Sequence, residues 1–178
     1  MAAATAPTHG LEFHLRDFRL RSGMRVLVEQ DKSAPVAGVI TVVGVGSTSD
    51  PPGKEGLAHL VEHLTFRSKV GTPPTSMKTL LGQAGAADLN ASTDFDATVY
   101  HEVGPRDALG DLLTLEGLRM LDPLANVDET TFLTEREVVH NELRERGETN
   151  AIGSIFAATQ AATFPAGHPY ARPIGGTH

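Results

Sequence analysis

The spacing of apolar residues changes abruptly near residue 53, and this change constrains the fold more than any other feature of the chain. Residues 36–45 form a run rich in β-branched side chains, which predicts a buried strand. A polar loop with two prolines interrupts the pattern at 47–53. From Glu55 to Phe66 the apolar residues recur instead at i, i+3, i+4 and i+7, which predicts an amphipathic helix. These residues are Leu57, Leu60, Val61 and Leu64.

The rest of the chain alternates between the same two spacings. A hairpin is predicted first, with strands at Phe18–Leu20 and Arg25–Glu29 joined across a turn that contains glycine. Further strands are predicted at 88–92 and 97–103, and further helices at 76–83, 106–121, 128–146 and 152–163. This order predicts an α+β fold, in which helices cover a mixed sheet that is rich in antiparallel pairs.

Composition excludes several classes of function. The formal net charge of −7 has the wrong sign for a protein that binds nucleic acid. Because the chain has no cysteine, a transition-metal site must be built from histidines and carboxylates. No stretch approaches the roughly 18 unbroken apolar residues of a membrane-spanning helix, so we expect a soluble chain without a membrane span. The compartment stays open between the bacterial cytoplasm and periplasm, since a chain without cysteine suits both.

The length of 178 residues is sufficient for one domain. Residues 1–10 are small and polar, and they lack the basic start and apolar run of a signal peptide. We therefore predict a flexible N-terminal tail over 1–10 and a folded domain over 11–178.

The first predicted helix carries the motif with the clearest chemistry. At about 100° per residue, His59, Glu62 and His63 lie on the side of the helix opposite its apolar residues, which we expect to face the core. Two histidines four positions apart can bind one zinc ion, and the glutamate between them can act as a base. The alternative is that the three residues only form the solvated side of an amphipathic helix.

A catalytic zinc takes three protein ligands, so a third must come from another segment. On the helix predicted at 128–146, Glu135 and Glu142 lie about 20° apart along the edge of the apolar stripe. The alternative for Glu142 is an ordinary surface ion pair with Arg146, four residues away. Spacing alone does not decide between these two roles.

Two segments resemble the pitrilysin and insulinase type of inverted-zincin peptidases, a family that includes the mitochondrial processing peptidase. The stretch 56–64 is similar to the family's signature helix, which implies His59 and His63 as zinc ligands and Glu62 as general base. The stretch 135–145 is similar to its acidic helix, which implies Glu142 as third ligand and Glu135 as a supporting acid that orients a ligand histidine. The resemblance implies one Zn²⁺ per chain.

A third segment, 89–93, is similar to the edge strand on which the family's peptide substrates pair. The resemblance implies that a peptide adds there as a strand held by main-chain hydrogen bonds, with Asn90 and Ala91 as substrate-binding residues and the Asn90 side chain helping to position the scissile region. The alternative for Asn90 is a turn residue at the end of a strand. The stretch 168–177 also looks like a family segment, in which His168 is expected to be structural.

The resemblance implies a zinc-dependent endopeptidase domain that hydrolyses peptides or unfolded segments, with a zinc-activated water and Glu62 as general base. In the family a second homologous domain or chain completes the active site, so 11–178 is expected to be a truncated peptidase domain. The alternative within the family is a non-catalytic, peptide-binding scaffold subunit or an inactive fragment. A lyase that uses the same H-x-x-E-H motif is excluded, since those enzymes need a cysteine.

Overall fold

The computed structural model describes residues 14–145 and 151–176. The tail predicted for 1–10 therefore lies outside the described residues. The chain divides into two compact units, Met1–Pro35 and Val36–His178. The first contains an antiparallel hairpin of β1 (Leu15–Arg19) and β2 (Arg25–Glu29), turned at Gly23 with a φ of +90°. A bidentate ion pair from Arg25 to Asp17 crosses the hairpin and holds the pKa of the Asp17 carboxyl below its usual range.

The second unit is organised around a three-stranded antiparallel sheet. Its strands are β3 (Val36–Val43), β6 (Asp88–Thr93) and β7 (Thr98–Pro105), in the order β3-β7-β6. Alternate residues of β7 are buried, among them Thr98, Tyr100 and Glu102, because strand side chains alternate between the two faces. Among the described strands, β6 has no neighbour on its other side and is an edge strand.

Helices cover the face of the sheet to which these residues point. They are α1 (Leu57–Arg67), α2 (Met77–Gln83) and α3 (Leu109–Leu121), and a short antiparallel pair, β4 (Lys69–Val70) and β5 (Thr75–Ser76), joins α1 to α2. The apolar core forms between α2, α3 and the sheet. Its fully buried members are Met77, Leu81 and Leu112.

Two longer helices follow, α4 (Glu129–Leu143) and α5 (Ala151–Thr163). Asp128 is the N-cap of α4, and its carboxylate accepts a hydrogen bond from the Thr131 N–H at 2.8 Å. Hydrogen bonds from the Thr131 hydroxyl and N–H, and then from the nearby Lys69, lower the pKa of Asp128 to about 2. Helix α4 packs along α1, so the acidic segment and the H-x-x-E-H segment lie side by side.

The α+β class and the antiparallel sheet are as predicted, and each predicted strand and helix is present within a few residues of its expected bounds. The expected orientation of α1 is wrong in one respect. Leu64, on the expected core face, is only 3% exposed, but Leu57 on the same face is 39% exposed, and Glu62 on the other side is only 7% exposed. The apolar side of α1 lines a shallow groove with Leu124, Val127 and Phe132 instead, because the sheet packs against the other side of the helix. Within 14–145 and 151–176, every helix is too short or too polar to traverse a membrane.

Candidate metal centre

The N-terminus of α1 is fixed by a buried carboxylate and by two close backbone approaches. Asp50 Oδ2 accepts from the Gly56 N–H at 2.7 Å and Asp50 Oδ1 from the Ala58 N–H at 2.9 Å, which satisfies two N–H groups of the first helical turn. Gly56 has a φ of +92°, and a Cβ at this position would lie 2.3 Å from the carbonyl oxygen of Gly175. Gly176 has a φ of +87°, and a Cβ there would lie 2.1 Å from the carbonyl oxygen of Glu55, so the close approach of residues 175–176 to the start of the helix requires glycine at both 56 and 176.

The three predicted zinc ligands converge from α1 and α4. Glu142 Oε2 lies 3.3 Å from His63 Nε2 and 3.8 Å from His59 Nε2. Ligand atoms bound at about 2.1 Å in a tetrahedral zinc site lie about 3.4 Å from one another. The three side chains are between 12% and 21% exposed, so they are neither dispersed in solvent nor sealed in the core.

Glu135 approaches the same group from one side. Its Oε2 lies 3.5 Å from His63 Nδ1, and its Oε1 forms an ion pair with Arg67 Nε at 2.7 Å. The carboxylate thus contacts the ring nitrogen of His63 that points away from Glu142. A carboxylate in that position can fix the orientation of a ligand histidine.

Glu62 lies on the sheet side of the group. A carboxylate oxygen of Glu62 and one ring nitrogen each of His59 and His63 lie within 4.8 Å of one another. Glu62 Oε2 accepts a hydrogen bond of 2.6 Å from the hydroxyl of Thr93, at the end of β6. Burial and this bond restrict the carboxylate to one place beside the histidines.

These side chains open into a cavity of about 750 Å³. One of its walls is β6, from Leu89 to Thr93, so the predicted substrate residues Asn90 and Ala91 line the same space as the histidines. Asn90 is an exposed residue inside the strand, where it pairs with His101, and it is not the turn residue of the alternative interpretation. An extended peptide could add to this edge beside Glu62.

Two further residues of the sequence analysis have other outcomes. Arg146, the alternative partner of Glu142, is outside the described residues. His168 begins a short 3₁₀ turn at 169–171, where its Nδ1 accepts from the Tyr170 N–H at 3.1 Å and its ring stacks on Phe164 at 5.0 Å. These contacts agree with a structural role for His168.

Sequence reasoning did not identify Arg67, Asp50 or Thr93 as parts of the site. Arg67 lies four residues after His63 on one helix, and this spacing could have placed it beside the motif. Asp50 and Thr93 reach α1 from other segments, across separations of 8 and 31 residues. No local sequence pattern predicts such contacts between separate segments.

The donor set suits a divalent cation of the zinc type. Imidazole nitrogens and a carboxylate oxygen are common zinc ligands, and the two distances from Glu142 to the Nε2 atoms, 3.3 and 3.8 Å, are close to the separation of neighbouring zinc ligands. The carboxylates of Glu62, Glu135 and Glu142 lie beside the two histidines, and a bound dication would offset part of their negative charge.

Comparison with protein families agrees with this chemistry. Residues 25–177 match the family described as Insulinase (Peptidase family M16). Over 158 residues the chain is 32% identical to the zinc protease PqqE of Helicobacter pylori, covering 88% of this chain and 35% of the relative. It is 31% identical to protease 3 of Escherichia coli K12, covering 89% of this chain and 16% of the relative.

Solved structures give the same result. The crystal structure of a protease from Helicobacter pylori aligns with a TM-score of 0.79 and 29% identity, over 93% of this chain and 39% of that one. Pitrilysin aligns with a TM-score of 0.73 and 29% identity, over 93% of this chain and 17% of its own. The chain thus spans between 16% and 39% of the length of these relatives.

Proposed function

Because this chain belongs to the insulinase family, peptidase family M16, we propose that it is the zinc-binding domain of an endopeptidase. The observation that carries the proposal is the approach of Glu142 Oε2 to within 3.8 Å of both histidine Nε2 atoms, with Glu62 on the adjacent side of the histidines. His59, His63 and Glu142 would hold one Zn²⁺. Glu135 would orient His63 through its Nδ1 atom.

The reaction proposed is hydrolysis of a peptide bond. When bound, zinc supplies Lewis acidity, which lowers the pKa of water and polarises a carbonyl group. Glu62 takes a proton from the attacking water and later delivers it to the departing amine. The burial of Glu62 and its bond to Thr93 keep the carboxylate oriented through both transfers.

The substrate proposed is an extended peptide or an unfolded segment of a protein. It would add as a strand along the edge of β6 that no described strand covers, held by main-chain hydrogen bonds in the stretch that contains Asn90 and Ala91. Strand addition depends on main-chain hydrogen bonds more than on side chains. Because an extended segment must have its main chain free to form them, this geometry favours unfolded segments over folded proteins.

A second homologous domain or chain is proposed to complete the substrate chamber. The chain spans 35% of the Helicobacter pylori protease PqqE and 39% of the solved Helicobacter pylori protease. The cavity beside β6 is open in this unit, so a facing surface would be needed to enclose a peptide and exclude water.

Zinc content and peptide cleavage, measured together, test the proposal. The purified chain is loaded with zinc and assayed against an internally quenched peptide library, alone and with an added homologous partner domain. We expect one zinc per chain, and cleavage that is lost in Glu62→Gln while its zinc is retained. His63→Ala is expected to lose the metal.

Glu137→Gln is the matched control, since Glu137 lies on the exposed side of α4 and pairs with Arg136. It should keep both zinc and cleavage. Full activity in Glu62→Gln would contradict the proposed base. Zinc binding without cleavage in every mixture would instead favour the scaffold subunit.

A further inference from the structure

Thr93 donates a hydrogen bond directly to the proposed base. Its Oγ1 lies 2.6 Å from Glu62 Oε2, at the short end of the range for a hydroxyl that donates to a carboxylate. Among the described residues, Thr93 is the one side chain that donates to the Glu62 carboxylate. Glu62 itself is 7% exposed, so little water competes for this bond.

The neighbouring hydroxyl fixes the direction of the Thr93 proton. Thr98 lies opposite Thr93 in the β6–β7 pair, and the two Oγ1 atoms are 3.3 Å apart. Thr98 donates its one proton to the carbonyl oxygen of Val45 at 3.0 Å. The Thr93 proton is thereby left for Glu62, which as a carboxylate can only accept.

The backbone around Thr93 is held in place as well. Directly after Thr93 the chain turns, and the turn closes through the Asp94 N–H to the Ala97 carbonyl at 2.8 Å. The Ser47 N–H and the Thr48 N–H donate to the carbonyls of Asp94 and Phe95 at 3.0 and 2.9 Å. The hydroxyl therefore projects from an anchored strand end.

We propose that Thr93 is the positioning residue of the base: its hydroxyl holds one oxygen of Glu62 and leaves the other available to the reacting water. This inference rests on the proposed role of Glu62. Because Thr93 ends the strand that carries Asn90 and Ala91, the same strand that aligns the peptide also orients the base. A misplacement of about 1 Å in a catalytic group can cost about 100-fold in rate.

The first test measures the bond itself and needs no activity. Urea unfolding of the zinc-loaded chain is compared for Thr93→Val in two backgrounds, Glu62 and Glu62→Met. Valine has nearly the shape of threonine but no hydroxyl. We expect Thr93→Val to lower the urea midpoint clearly in the first background and by less than half as much in the second.

Thr98→Val is the matched control, because it removes a hydroxyl from the paired position that bonds to Val45 and not to Glu62. Its effect on the midpoint should be similar in both backgrounds. If the two backgrounds respond equally to Thr93→Val, the proposed bond is absent and the inference is overturned.

The second test is kinetic. Thr93→Val should retain one zinc per chain, lower kcat about 10- to 100-fold and change KM by less than about twofold. Thr93→Ser, which restores the hydroxyl, should recover kcat to within about threefold of the original. An unchanged kcat in Thr93→Val overturns the inference while the proposed function stands. If no variant cleaves any peptide, the proposed function fails, and the unfolding comparison still decides whether Thr93 holds Glu62.

Discussion

Two groups of charged side chains lie near Phe66 of helix α1, and they differ in how they compensate for buried charge. The metal cluster consists of His59, Glu62, His63, Arg67, Glu135 and Glu142, and it opens into the cavity beside β6. The ionic cluster consists of Glu102, Glu116 and Arg119, each at most 2% exposed. One group has access to solutes, and the other does not.

The ionic cluster contains its own cation. Arg119 Nη2 lies 2.8 Å from Glu116 Oε1, and Glu116 Oε2 accepts from the Thr41 hydroxyl at 2.7 Å. The Arg119 guanidinium also lies 4.5 Å from the ring centre of Tyr100 and 5.1 Å from that of Phe66. The charges of Glu116 and Arg119 therefore cancel within the protein.

Glu102 is the second carboxylate of that cluster, and its carboxyl group stays protonated in place of forming an ion pair. Burial, and then the nearby charge of Glu116, raise the pKa of Glu102 to about 7. One arginine does not neutralise two buried carboxylates, so the pair retains a proton up to nearly neutral pH.

The metal cluster differs from the ionic cluster in composition and in access. Arg67 pairs with Glu135, and Glu62 and Glu142 lie beside the two histidines. A closed cluster whose charges pair inside the protein is structural, whereas a group of imidazoles and carboxylates that opens into a cavity is suited to bind a cation. The following predictions test this difference, in order of decreasing effect.

Arg119→Met should give the largest loss of stability. The change leaves Glu116 buried without a counter-ion, which costs about 3–5 kcal/mol in the free energy of unfolding. Arg67→Met is the comparison in the metal cluster: Glu135 is also buried, but Arg67 is 48% exposed and His63 Nδ1 remains 3.5 Å from the carboxylate, so the loss should be smaller than for Arg119→Met. Urea unfolding of both metal-free variants measures the two costs, and equal losses would contradict the comparison.

Glu102→Gln should remove a pH dependence. Because the pKa of Glu102 is raised in the folded state, that state binds more protons than the unfolded chain between pH 4.5 and about 7. Its contribution is favourable below pH 4.5 and is lost as the pH rises through 7, by on the order of 2–3 kcal/mol. The difference in unfolding free energy between the original chain and Glu102→Gln should follow this curve, and a difference that does not vary with pH would refute it.

Glu135→Gln should have the smallest effect, and it should act on zinc more than on folding. Loss of the carboxylate beside His63 Nδ1 is expected to weaken zinc binding about 10- to 100-fold. Competition with a chromophoric chelator measures the affinity. Glu102→Gln, in the closed cluster, should leave the zinc affinity unchanged, and an equal effect of both variants would remove the distinction between the clusters.

The sequence was sufficient for features that depend on neighbours along the chain. The spacing of His59, Glu62 and His63 is set by one helix. The spacing of apolar residues along the chain predicted nearly every strand and helix. It was not sufficient for the packing of α1, because an apolar stripe shows that a helix has two sides but not which side the sheet will cover. The ionic cluster was missed for the same reason, since Thr41 and Glu116 meet across 75 residues of sequence.

Anomalous diffraction at the zinc edge, from crystals of the zinc-loaded chain, tests the central claim most directly. We expect one peak per chain, at about 2.0–2.2 Å from a ring nitrogen of His59, a ring nitrogen of His63 and a carboxylate oxygen of Glu142. Glu62 should remain bonded to Thr93 and outside the ligand set. A structure without a peak, or with Glu62 in place of Glu142 as the third ligand, would contradict the account.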